Sequence, residues 1–167
     1  MQRLTGFVPI ASPQSKILIL GSMPSGASLD SSAYYAHPRN TFWPILFALF
    51  NRPCPICYDA RCALLFEKDI ALWDSAASCI RPGSLDSNMR AIALNDFDAF
   101  FAQHKNIGAV FFNGAQAQRL FLRGYKHIAQ RLCCTLLPST SPAAASVSFA
   151  SKLAAWQAVK AALEAIN

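Results

Sequence analysis

The sequence predicts an α/β fold built on a mainly parallel sheet, and three observations carry that reading. Four short apolar runs recur along the chain, helical patterns lie between them, and 167 residues suffice for one buried core without staples. The runs are Lys16–Leu20, Ile70–Trp73, Ala109–Phe112 and Cys133–Leu137. Each is apolar at odd and even positions alike, as a strand covered on both faces should be. Strand alternating with helix then places four strands in a central, mainly parallel sheet with helices on both sides. No repeat, linker or low-complexity tail interrupts the chain, so 1–167 reads as a single domain.

The elements follow in order. After Lys16–Leu20, the segment Gly21–Trp43 abandons hydrophobic periodicity. Thr41–Phe50 returns to helical spacing with Phe42, Ile45, Leu46, Leu49 and Phe50. Asp59 can cap a helix holding Cys62, Leu65 and Phe66, and Asn95 can cap one holding Phe97, Phe100 and Phe101. Ala115–Arg123 is helical, with Gly124 placed to end it. Cys133-Cys134 reads as a pair of small hydrophobes in a buried strand. The last helix runs from about Phe149 to Ile166, with Leu153, Trp156, Leu163 and Ile166 on one side.

Composition narrows the partners. The chain is 53% hydrophobic, yet no run approaches the ~18–20 uninterrupted apolar residues of a membrane helix. The start lacks a signal-peptide layout, so a cytoplasmic location without membrane contact is expected. The net charge is +6, and eight of the nine acids lie between Asp30 and Asp98. From there to Glu164 the only charges are basic: Lys105, Arg119, Arg123, Lys126, Arg131, Lys152 and Lys160. A basic half suits a polyanionic partner; charge alone is equally compatible with a solvated basic surface. Cys54-x2-Cys57 and Cys62 have no second pair at zinc spacing, so neither a metal nor another cofactor is expected.

Parallel sheets bind ligands beyond the carboxyl ends of their strands. Those positions are Gly21 onward, Asp74-Ser75, Asn113-Gly114 and Pro138-Ser139-Thr140-Ser141-Pro142. Gly21 and Gly26 let the backbone approach a ligand and turn its N–H groups inward. No Lys-Ser/Thr pair follows Gly26, which excludes a nucleoside-triphosphate loop. Gly21–Trp43 offers no obvious catalytic carboxylate. Tyr35 can stack a planar base, whereas Tyr34 divides evenly between stacking and core packing. Asn40 occupies a helix N-cap position; its amide either caps the helix or orients a water or a base edge. The Ser139–Ser141 hydroxyls suit phosphate oxygens, or form a Ser/Thr turn without a ligand.

Five motifs, GSMPSG, YYAHPRNTFW, ALWDS, FFNGAQA and LPSTSPA, occur in this order between Lys16 and Leu163. In combination they resemble the uracil-DNA glycosylase superfamily, in particular its mismatch-type branch and the hypoxanthine-DNA (deoxyinosine) glycosylases. The resemblance implies a three-layer α/β/α fold and a monofunctional enzyme acting on DNA that contains deaminated bases. Such an enzyme flips the base out, hydrolyses its N-glycosidic bond and leaves an abasic site. Hypoxanthine is the expected first substrate and uracil the second, with the enzyme acting as a monomer. The first motif lacks the water-activating Asn or Asp of many branches, and the second loop has Ser139-Thr140-Ser141 where uracil enzymes place a His. Both absences resemble the hypoxanthine branch, whose important Asn in the HPxN segment maps to Asn40. Tyr35 matches the stacking aromatic, and Asn113 is a candidate reader of the base edge. Backbone N–H groups of Ser22 and Met23 are expected to stabilise the departing base anion. Ser25, Arg39, Ser139, Thr140 and Ser141 are expected to hold DNA. A non-catalytic binder of nucleic acid or nucleotide on the same fold is the alternative.

Overall fold

The computed structural model describes residues 1–166. The apolar runs become β2 (Ile17–Gly21), β3 (Ile70–Asp74), β6 (Ala109–Asn113) and β7 (Cys133–Leu137), each within a residue of its expected bounds. They form one parallel sheet in the order β3-β2-β6-β7. Because side chains alternate across a strand, Ile17 and Ile19 of β2 face one layer and Leu18 and Leu20 the other. The first layer contains α2 (Phe42–Leu49), α3 (Tyr58–Glu67) and α6 (Phe149–Ala165), packed around the fully buried Trp43 and Trp156. The second contains α4 (Phe97–Gln103) and α5 (Ala115–Ala129), packed through Phe97, Phe100 and Phe121. The short α1 (Gly26–Ser31) lies in the loop after β2, capped by Ser25, whose hydroxyl accepts from Ser28 N at 3.2 Å.

The structure departs from the sequence reading in six places. A second sheet, β1 (Arg3–Thr5), β4 (Ala76–Ile80) and β5 (Arg90–Leu94), is antiparallel in the order β1-β4-β5. Register shifts between β4 and β5 and partial exposure blur the alternation that would have announced it. β7 is an edge strand, so Cys133 is exposed and Cys134 only half-buried. The cap of α4 is Asp96, whose carboxylate accepts from Ala99 N at 3.0 Å, rather than Asn95. Asp59 lies in the first turn of α3 after its N-cap Cys57. Gly124 does not end α5, which continues past a kink at Tyr125 (φ −132°, ψ 37°). A Cβ at Gly124 would stand 2.8 Å from Leu94 Cδ1, so the glycine permits close helix–sheet contact. On α6 the buried face is Lys152, Trp156, Val159 and Leu163, with Leu153 and Ile166 at its margin.

Candidate active site

A cavity of about 280 Å³ opens at the carboxyl ends of β2, β3 and β6 and beneath the loop after β7. This is the ligand position expected for a parallel sheet. Ser22, Met23, Ser25, Tyr35, Asn40, Asn113 and Ser139–Ser141 all line it. Of the expected site residues only Arg39 lies outside, exposed on the rim.

One wall is made by β2 and β3. Gly21 must be glycine here: a Cβ would collide with Asp74 Oδ1 and stand 2.8 Å from the Tyr35 hydroxyl. Beyond it, the backbone N–H groups of Ser22 and Met23 donate to no acceptor among the described residues. The side chain of Met23 is buried with Cys79 and Met89, leaving its backbone as its polar contribution. The Ser22 hydroxyl donates to Asp86 Oδ1 at 2.7 Å. Arg81, buried beneath the loop, donates through Nη2 to Pro24 O at 2.5 Å and fixes the loop's path. Gly26 N donates to Ser84 Oγ at 2.9 Å, a further tie to the segment after β4.

Tyr35 has φ 54°, a left-handed conformation that costs a non-glycine residue ~1–2 kcal/mol. Hydrogen bonds on either side hold it there: Tyr34 N donates to the Tyr58 hydroxyl and Ala36 N to Ser28 Oγ. Its ring stacks on Phe42 at 4.1 Å and 23°. Its hydroxyl is buried without a hydrogen-bond partner. Burial first, and then the Asp74 carboxyl, push that phenol well above its usual range; the nearby Asn113 amide opposes this without reaching hydrogen-bond geometry. Tyr34 resolves to the core, with its hydroxyl on Val8 O at 2.9 Å.

Asp74 was legible as a strand end but not as a site residue. Its carboxyl is buried at the cavity floor, and Oδ2 has no hydrogen-bond partner. Burial, reinforced by the neighbouring Asp86 and opposed by Arg81, raises its pKa to about 7. Asp86, also raised by burial, enters from the short 3₁₀ turn Asp86–Asn88, twelve residues further along. A carboxyl group, absent from the polar positions of Gly21–Trp43 that line the cavity, is contributed there by Asp74 at the end of β3. Asp86 and Arg81 carry no spacing signal that would have found them.

The opposite wall is closed by a two-bond clamp. Asn113 Nδ2 donates to Thr140 Oγ1 and Thr140 N donates to Asn113 Oδ1, both at 2.9 Å. Thr140 O also accepts from Thr41 N at 3.1 Å. Thr140 is fully buried, so it ties the second loop to β6 and α2, while Ser139 and Ser141 remain partly accessible. Asn40 lies between the walls, one residue before the α2 N-cap Thr41. Its Oδ1 accepts from Phe42 N at 3.0 Å, and its Nδ2 has no partner among the described residues. It thus braces the helix start with one amide atom and leaves the other unused.

Comparison with known proteins agrees with this geometry. Residues 8–162 match the model of the uracil DNA glycosylase superfamily. A hypoxanthine DNA glycosylase of Methanosarcina acetivorans is 31% identical over 157 residues, covering 92% of this chain and 96% of that one. Another, from Methanosarcina barkeri, is 33% identical over 113 residues, covering 67% of this chain and 72% of that one. The solution NMR structure of a candidate uracil DNA glycosylase from M. acetivorans superposes with a TM-score of 0.84 at 28% identity, covering 98% and 99% of the two chains. The cavity at the strand ends, the five ordered motifs and these matches lead to one conclusion: the chain belongs to the uracil DNA glycosylase superfamily and is a DNA glycosylase.

Proposed function

We propose that the protein excises hypoxanthine from deoxyinosine-containing DNA, with uracil as a second substrate, as a monofunctional glycosylase. The observation that carries this reading is the buried, unpartnered Asp74 carboxyl in a cavity that also presents two free backbone N–H groups. Hypoxanthine and uracil share a lactam edge, one N–H beside one C=O. A protonated carboxyl offers the complementary acceptor and donor. With its pKa at about 7, Asp74 is already part-protonated at neutral pH, and a base that displaces water favours the acid form further. Its O–H bond to the base oxygen then strengthens as negative charge builds on the leaving base, as with other carboxylic acids kept neutral by burial.

The remaining residues fit a hydrolysis. The glycosidic C–N bond breaks with its electrons going to the base. The N–H groups of Ser22 and Met23 stabilise that charge as oxyanion-hole donors do. Tyr35, backed by Phe42, supplies the flat surface beside the base. Asn40 positions the water whose oxygen adds to the sugar carbon and whose proton leaves to solvent or to the base. Among the described residues no lysine lines the cavity, which supports direct hydrolysis over an amine-linked intermediate. Ser25, Ser139, Ser141 and Arg39 hold the DNA backbone at the rim, and Thr140 keeps the second loop in place.

Matched duplexes carrying inosine, uracil or xanthine test the reading. The expected outcome is free hypoxanthine released fastest, with an intact abasic strand that breaks only on alkali or heat. Release of none of the three bases would overturn it, leaving a non-catalytic nucleic-acid binder.

A further inference from the structure

A second cavity, of about 260 Å³, adjoins the first across Ser141. Lys152, on the second turn of α6, contributes to its lining and is only 4% exposed. Its ammonium has no hydrogen bond or ion pair among the described residues. A lysine so deeply placed almost always has a partner. The other polar side chains lining the cavity are Arg39 and the hydroxyls of Thr41, Ser141 and Ser148, with no carboxylate among the described residues. The amino end of α6 lies at the same place. Ser148 caps it by accepting from Ser151 N at 3.1 Å, while the N–H groups of Phe149 and Ala150 have no acceptor among the described residues. Helix N-termini with free N–H groups attract anions, and here Lys152 and an arginine line the same cavity.

We propose that this cavity is a phosphate socket, in which Lys152, Arg39 and the start of α6 hold one phosphodiester of the DNA strand next to the nucleotide in the active site. The inference rests on the reading of the chain as a DNA glycosylase. Position supports DNA over a free anion: Arg39 precedes Asn40, and Ser141 lines both cavities. A strand with one base in the first cavity therefore passes the second. Burial holds the Lys152 ammonium below its ordinary pKa, and a docked phosphate removes that penalty by supplying the missing counter-charge.

The test compares wild type with Lys152→Met, which keeps the stem's packing, and Lys152→Arg, which keeps the charge. Binding to an inosine duplex is followed against salt, alongside single-turnover excision. Lys152→Met is expected to bind about tenfold more weakly and to lose about one unit of the log K against log salt slope. Its rate at saturating DNA should stay within about threefold, and Lys152→Arg should recover most of the binding. Single neutral methylphosphonates are then stepped along both strands around the inosine. One position should weaken wild type about tenfold and leave Lys152→Met almost unaffected, since coupled groups are non-additive. If Lys152→Met fails to fold, Lys152→Gln, a neutral side chain able to hydrogen-bond the surrounding hydroxyls, serves in the same two measurements. An unchanged salt slope, or additive losses at every methylphosphonate position, overturns the socket even when wild type is active. Absence of base release by wild type instead counts against the functional reading.

Discussion

The two walls of the active-site cavity treat buried polar groups in opposite ways. On the β6 side every polar side-chain atom of Asn113 and Thr140 is paired, and the pairing joins three elements. On the β2–β3 side the Tyr35 hydroxyl, an Asp74 oxygen and an Arg81 nitrogen are buried without partners. Unsatisfied buried groups cost ~1–3 kcal/mol each, so a fold keeps them only where something else completes them. The paired wall holds shape, and in the proposed function the unpaired wall is the side that engages the base. A static picture of lining residues would rank the two alike; the hydrogen-bond accounting separates them.

The largest expected effect tests the residue between the walls. Asn40→Ala should lower single-turnover excision by at least ~10²-fold, the lower range for a positioned catalytic group. Loss of its bond to Phe42 N should lower stability by only ~1 kcal/mol, read from thermal melting. A loss confined to melting would make Asn40 a helix brace alone. Asn113→Ala strikes the paired wall, removing two hydrogen bonds and orphaning Thr140. It should destabilise the fold by about 2–3 kcal/mol; an unaffected midpoint with abolished excision would assign Asn113 to the substrate and erase the contrast. On the unpaired wall, Asp74→Ala should slow excision about tenfold. Asp74→Asn, which keeps one donor and one acceptor, should stay close to wild type but change the pH profile. Wild-type rates should fall as pH rises through about 7, where the acid form is lost, and the Asn variant should be flat.

The smallest effect concerns stability. The folded pKa of Asp74 lies above its ordinary value of 3.8, so its favourable contribution is complete below that value and is lost as pH rises through about 7. Asp74→Asn should therefore be more stable than wild type at pH 8 and no more stable near pH 3.5, read from denaturant midpoints at the two pH values. Equal midpoints at pH 8 would mean that the Asp74 carboxyl has found a partner after all, and the unpaired wall would lose its main member.

Much of this was legible in the sequence, for identifiable reasons. The central strands are apolar on both faces, a signal strong enough to place their ends. Strand ends in a parallel sheet converge, so the sequence alone brings Gly21, Asp74, Asn113 and Ser139 together. What stayed hidden depends on pairing at a distance. Ala76–Ile80 and Arg90–Leu94 are half-exposed and slip in register, so no period marks them. Gly124 looked like a stop because a missing Cβ has two uses, and only the position of Leu94 shows which applies. Asn95 and Asp96 are adjacent candidates for one cap, and the loser donates instead to Asp74 O at 2.7 Å. The role of Asp74 follows from its burial, its neighbour Asp86 and its unpaired oxygen, none of which is written in its own segment.

Gly21 carries a consequence for how such a protein can change over generations. Its missing side chain is the space in which Asp74 and the Tyr35 hydroxyl meet. The smallest possible substitution there would plug the recognition chamber from within, while the surface that meets DNA, made by other residues, stays intact. A single methyl group at Gly21 is thus expected to be enough to separate base release from DNA binding.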